Sequence, residues 1–146
     1  MYKKILIPID RSEHSQKSVE HGIALASSFD AEIVLLHCYD YPEILNDEFL
    51  IYGIPDSYIQ NIKKNIESHS QEFLQGIKDK CIENKVSVTI EFREGHPGHN
   101  IVTAAEELNA DLIVMGSRHM GMLKRLIFTS SSNYVLHHSK ISIFVI

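Results

Sequence analysis

The chain has 146 residues, 44% of them hydrophobic and 23% charged, and its 14 Lys and Arg against 19 Asp and Glu leave a net charge of −5. That is one domain's worth of an ordinary globular protein, spanning residues 1–146, with enough chain to bury a full core without disulfide staples. The balance excludes a disordered tail and a fibrous protein, and a mildly acidic domain lacks the basic face that nucleic-acid binding needs.

Residues 5–8, Ile-Leu-Ile-Pro, form a short apolar run stopped by a proline, which reads as a buried strand. Ser12 or Ser15 can cap the helix that follows, marked by Val19, Ile23, Ala26 and Phe29 at helical spacing. Residues 33–36 are the next buried strand. Residues 39–56 carry Pro42, Gly53 and Pro55 and read as a long loop. Its apolar stretch at 48–54 would cover a pocket, contact a partner or form a satellite core.

From Ser57 onward, Ile59, Ile62, Ile66, Phe73, Ile77 and Cys81 make one stripe of a long helix. Val86, Val88, Ile90 and Phe92 alternate with polar residues as a half-buried strand, and residues 94–98 are a turn. Ile101, Ala105 and Leu108 mark a further helix, and residues 112–115 a further buried strand ending at Gly116. A loop with a short amphipathic piece at 122–128 leads to a last helix around Val135 and Leu136 and a last strand at 141–146. Strands alternating with amphipathic helices predict an α/β fold, a five-stranded parallel sheet with helices on both faces. In such a sheet ligands bind beyond the carboxyl ends of the strands. The positions to inspect are therefore residues 8–10, 37–39, 95–98 and 116 onward.

Two cysteines, Cys38 and Cys81, form no CxxC pair and fit a reducing compartment. The N-terminal apolar run is too short for a signal peptide, and no stretch approaches ~18 consecutive apolar residues. The expected address is the cytoplasm, with no membrane and no nucleic-acid partner.

The strand ends carry a pattern. Lys4-Ile5-Leu6-Ile7-Pro8-Ile9-Asp10 with Ser12-Glu13-His14-Ser15 resembles the opening of the universal stress protein family. Ala110-Asp111-Leu112-Ile113-Val114-Met115-Gly116-Ser117-Arg118 looks like its fourth strand and signature loop. Leu123-Lys124-Arg125-Leu126 continues the match, and Asn133-Tyr134-Val135-Leu136-His137-His138-Ser139-Lys140 is similar to its last helix. The resemblance covers essentially the whole chain. It implies a Rossmann-like fold of the adenine nucleotide alpha hydrolase-like kind, often dimeric, acting as a small regulatory domain in the stress response.

Nucleotide-binding members of that family carry G-x2-G-x9-G-[ST]. Glycines let a loop bring bare N–H groups close to phosphate, and the last pair opens a helix whose N-terminus favours an anion. Here the first glycine is Gly116, the second position is His119, and the third is Thr129, followed by Ser130. A Cβ at positions 119 and 129 obstructs close phosphate approach, which predicts that the protein binds adenine nucleotide weakly or not at all. Gly121 remains within the loop, and Thr129, Ser130, Ser131 and Ser132 offer hydroxyls at a helix start. If ATP or AMP binds, with Mg²⁺ accompanying ATP, the resemblance implies that Asp10 and Cys38 meet the nucleoside, with Pro8 and Met115 also among the binding residues. Gly116, Arg118 and residues 130–132 would then meet the phosphates.

Each residue also has a plainer role. Asp10 can cap the turn after its strand, Gly116 can serve a tight turn, and His119 can plug the pocket. The nine histidines do not converge on a metal pattern. His96 and His99 are separated by Pro97-Gly98, His14 and His21 lie about two helical turns apart, and His137 and His138 diverge. There is no G-x-S-x-G elbow and no Walker A loop, so a dedicated enzyme is not expected, slow nucleotide hydrolysis being the weakest reading. The alternative function is a family member that binds no nucleotide and acts through protein contacts with unknown clients. Residues 141–146 end the chain as an apolar edge, which together with the resemblance implies a homodimer through the C-terminal strand.

Overall fold

The computed structural model describes residues 1–39, 41, 45, 52–116 and 131–146. Ile5, Leu6 and Ile7 are wholly buried, so β1 (Lys4–Pro8) is apolar on both faces and belongs in the middle of a sheet. It is followed by α1 (Glu13–Phe29), β2 (Glu32–Tyr39), α2 (Asp56–Glu83), β3 (Val88–Glu94), α3 (Pro97–Glu107), β4 (Leu112–Met115), α4 (Ser131–His138) and β5 (Ser142–Val145). The five strands form one sheet in the order β3-β2-β1-β4-β5, and every neighbouring pair is parallel. The predicted α/β architecture is the observed one.

Strand alternation sends the two faces to different helices. Ile5, Ile7, Ile33 and Leu35 pack with Val19 and Ile23 of α1 and Leu74 and Cys81 of α2. Leu6, Val34 and Leu36 pack with Ile101 and Ala104 of α3 and Val135 of α4. Tyr41 and Leu45, in the connection after β2, join Tyr39 and Ile59 in a third, smaller cluster. No described residue of the apolar stretch at 48–54 is part of this cluster: residues 48–51 lie outside the described ones, and Tyr52 and Ile54 are exposed.

Three helices end on a non-glycine residue in the left-handed region: Asp30, Lys85 and Asn109, with φ between 52° and 61°. In each case the next N–H returns to the helix, Ala31 to Ala26, Val86 to Cys81 and Ala110 to Ala105. This corrects one boundary. Val86 is buried, as its apolar alternation predicts, but its N–H closes α2 instead of entering a ladder, so β3 starts at Val88. The turn predicted at 94–98 is likewise shorter. His96 is the N-cap of α3, its ring nitrogen accepting from the His99 N–H, and Pro97 and Gly98 already belong to the helix. Gly98 is where α3 meets α4: a Cβ there would lie 2.8 Å from Cβ of Tyr134. The amphipathic piece at 122–128 lies outside the described residues.

Candidate functional site

The strand order reverses at β1, which has β2 on one side and β4 on the other. Chains leaving β1 and β4 depart in opposite directions and open a crevice at their carboxyl ends. The first wall is a small hydrogen-bonded turn. The Ile9 N–H donates to the Leu36 carbonyl at 2.8 Å, so the chain stays in register with β2 one residue beyond the strand. The Asp10 N–H donates to Ser15 Oγ at 2.8 Å, and Asp10 Oδ1 accepts from the Ser12 N–H at 2.7 Å. Ser12 in turn caps α1 by accepting from the Ser15 N–H at 3.3 Å. Of the two serines able to cap, Ser12 is the cap, while buried Ser15 braces the turn. Asp10 performs the turn-capping role and also faces the crevice.

The second wall is the end of β2. His37 Nδ1 lies 2.8 Å from the Ile9 carbonyl. A carbonyl only accepts, so Nδ1 carries the proton. Cys38, on the opposite face, is partly buried, and that desolvation pushes its thiol up to about 11, against a smaller lowering by the side-chain hydrogen bond from Asn100 and by Arg93. At neutral pH it is a protonated, small, weakly polar wall, not a nucleophile. The third wall joins β4 to α4: Ser132 Oγ donates to the Gly116 carbonyl at 3.0 Å, locking the start of α4 over the end of β4.

Together these walls enclose a cavity of about 660 Å³, a size that suits a small ligand. Pro8, Asp10, Cys38, Met115, Gly116, Ser131 and Ser132 all line it, so sequence-predicted residues from four separate segments meet in one place. Arg118, His119, Gly121, Thr129 and Ser130 lie outside the described residues. Pro97 falls in the inspected turn and also lines the cavity, whereas the sequence reading gave no site role to Arg11, just before α1, to Ile66, His69 and Ser70 of α2, or to Ile101 of α3. On α2, the helical stripe signalled only a core face, and nothing in the spacing showed which of its turns reaches the strand ends. Two other histidines make local contacts. His99 Nε2 is 3.5 Å from Thr103 Oγ1, and His138 Nδ1 is 2.8 Å from the Tyr134 carbonyl. Among the described residues no group of three or more His, Cys, Asp or Glu could hold a metal, and no helix is long and apolar enough to cross a membrane.

A doubly wound parallel sheet with a ligand-sized cavity at its switch point defines the class of Rossmann-like binding domains. Comparison with known proteins narrows this. The model of the universal stress protein family matches residues 1–146, and the chain belongs to that family. Universal stress protein MJ0531 of Methanocaldococcus jannaschii is 31% identical over 147 residues, covering 100% of this chain and 82% of the relative. The solved structure of MJ0577 superposes with a TM-score of 0.81 at 28% identity, covering 100% of this chain and 96% of that one. A universal stress protein from Archaeoglobus fulgidus in complex with dAMP superposes with a TM-score of 0.70 at 15% identity, covering 99% and 97%.

Proposed function

We propose that this universal stress protein is a regulatory binding module of the cytoplasmic stress response, and that its cavity takes an adenine nucleotide, AMP or ATP, with Mg²⁺ accompanying ATP. The observation that carries the reading is the convergence of Pro8, Asp10, Cys38, Met115, Gly116, Ser131 and Ser132 on one cavity at the switch point. The fold neighbour from Archaeoglobus fulgidus in complex with dAMP supports it. The chemistry fits a nucleoside. Cys38, Ile101 and Met115 offer a low-polarity slot for a flat base. Asp10, which lines the cavity at the end of β1, is a carboxylate, the kind of acceptor that ribose hydroxyls need. Among the described lining residues, Ser15 and Ser132 give their hydroxyl protons to carbonyls and the Cys38 thiol is held protonated, which favours binding over catalysis.

The test is mass spectrometry of small molecules released from the purified protein, followed by calorimetric titration with AMP and with ATP and Mg²⁺. Binding is expected, and Cys38→Phe, which fills the base slot, should abolish it with the circular dichroism spectrum unchanged. No binding by the unmodified chain overturns the reading and leaves the alternative, action through protein contacts alone.

We infer also that the chain forms a homodimer through β5. This strand has β4 as its one neighbour in the sheet, and Phe144 on it and Leu136 on α4 are 42% and 49% exposed. A second β5 across a twofold axis would satisfy the open edge and cover both side chains.

A further inference from the structure

The cavity does not stay on one side of the sheet. Cys38 faces α3 and α4 with Leu36, whereas His37 and Tyr39 share the parity of Ile33 and Leu35, which face α1 and α2. Tyr39 packs against Ile59, Ile62 and Ile66 of α2. Ile66, His69 and Ser70 then close this side of the cavity. The lining therefore falls into two halves, one from each side of the sheet, an α3–α4 lobe and an α2 lobe, and the second has no role in the reading above.

Among the described lining residues the two lobes differ in charge. Among the described lining residues of the α3–α4 lobe there is no cationic side chain, and Ser132 has already committed its hydroxyl proton to Gly116. The α2 lobe contains Arg11. Its guanidinium carbon lies 5.8 Å from the centroid of the Phe73 ring. Phe73 is one helical turn from His69 and stands at i+3 from buried Ser70, so stacking on Phe73 brings the guanidinium to the turn of α2 that carries both. The ion pairs among the described residues are Lys4–Glu32, Lys80–Glu20, Arg93–Glu91 and Arg93–Glu107, and Arg11 is in none of them. Asp10, the one carboxylate among the described lining residues, is turned to the Ser12 N–H.

We propose that the α2 lobe is an anion subsite in which Arg11, with His69 and Ser70 beside it, takes the phosphate of the bound nucleotide, so that the ligand crosses the strand ends from Cys38 toward α2. The inference rests on the nucleotide reading of the pocket and relocates its charged end. A planar guanidinium suits this task, since its fork pairs two phosphate oxygens at once while its face remains stacked on a ring. It also gives the phosphate a site in a chain whose signature loop has His119 and Thr129 where glycines would let phosphate approach.

The experiment compares AMP with adenosine by calorimetry on the unmodified protein, Arg11→Gln, His69→Gln and Ser131→Ala. The unmodified protein should prefer AMP by about tenfold or more, the worth of one charge-assisted contact. Arg11→Gln should remove most of that preference while adenosine affinity stays the same, and His69→Gln should reduce it by about threefold. A melting temperature unchanged in Arg11→Gln confirms that the fold is intact. Adenosine binding with an AMP preference insensitive to Arg11, or one abolished by Ser131→Ala instead, overturns the subsite and keeps the nucleotide pocket. Equal affinity for AMP and adenosine in the unmodified protein overturns it too. Binding of neither compound overturns the pocket reading and the subsite with it.

Discussion

Replacing a helical glycine by alanine should have opposite signs at Gly76 and Gly98. Both lie within helices without a positive φ, so propensity alone predicts a gain of up to about 1 kcal/mol at each. At Gly76, in the carboxyl-terminal third of α2, an added Cβ would meet nothing within 4 Å. Gly76→Ala should therefore stabilise the chain by about 0.5–1 kcal/mol, through the lower entropy of the unfolded chain. At Gly98 the added Cβ would stand 2.8 Å from Tyr134 Cβ, 3.0 Å from its Cγ and 3.1 Å from His96 Cε1. Ordinary carbon contacts need roughly 3.5–4.0 Å, and Tyr134 Cβ is fixed to the backbone of α4, so the helices must part by about 1 Å. Overpacking costs about 1–3 kcal/mol, and an overlap of about 1 Å against a backbone-anchored Cβ belongs at about 2–3 kcal/mol, so after the propensity gain of up to about 1 kcal/mol a net loss of about 1–2 kcal/mol remains. Thermal unfolding followed by circular dichroism should show Gly98→Ala melting about 3–6 °C lower and Gly76→Ala about 2–3 °C higher. Since α4 carries Ser131 and Ser132 of the cavity wall, ligand affinity should fall in the first variant only. Shifts of the same sign in both variants would refute the argument that the close approach of α3 to α4 requires a glycine at 98.

Two further outcomes follow from the fold. Asp111 accepts from the backbone N–H groups of Lys3 and Lys4 at 2.8 and 2.9 Å, and these bonds hold its carboxyl below the ordinary value of 3.8. The group is depressed in the folded state, so its contribution is complete above pH 3.8 and is lost as pH falls through the folded value. Asp111→Asn should cost about 1 kcal/mol at neutral pH, with the deficit shrinking in denaturant titrations below pH 3.8; a deficit that grows with acid would contradict the assignment. At β5, Phe144→Asp or Val145→Asp should convert a micromolar dimer to monomer in sedimentation equilibrium, because the seam would bury an unpaired charge. A monomeric unmodified chain, or a dimer indifferent to both charges, would exclude pairing through this strand.

The elements were legible because their signals are local. An Ile-Leu-Ile run is buried on both faces wherever it sits in a parallel sheet, and the stripe from Ile59 to Cys81 can satisfy its apolar residues only as a helix. The order of alternating strands and helices then leaves few topologies, and the rule that ligands gather at strand carboxyl ends pointed to Pro8, Asp10, Cys38 and Gly116 before any fold was known. Boundaries were less legible where one backbone group has two claimants. The Val86 N–H could enter the sheet or close α2, and the left-handed turn at Lys85 gives it to α2. The extent of the pocket was decided only by tertiary packing. Arg11, His69 and Ser70 carry no spacing that links them, since the start of α1 and the middle of α2 meet only through the shared layer over β1 and β2. A sequence reports which face of a helix is apolar, but not how far along its length that face reaches a strand end. That the cavity is lined from both sides of the sheet, with Arg11 as the one arginine or lysine among the described lining residues, comes from that tertiary arrangement.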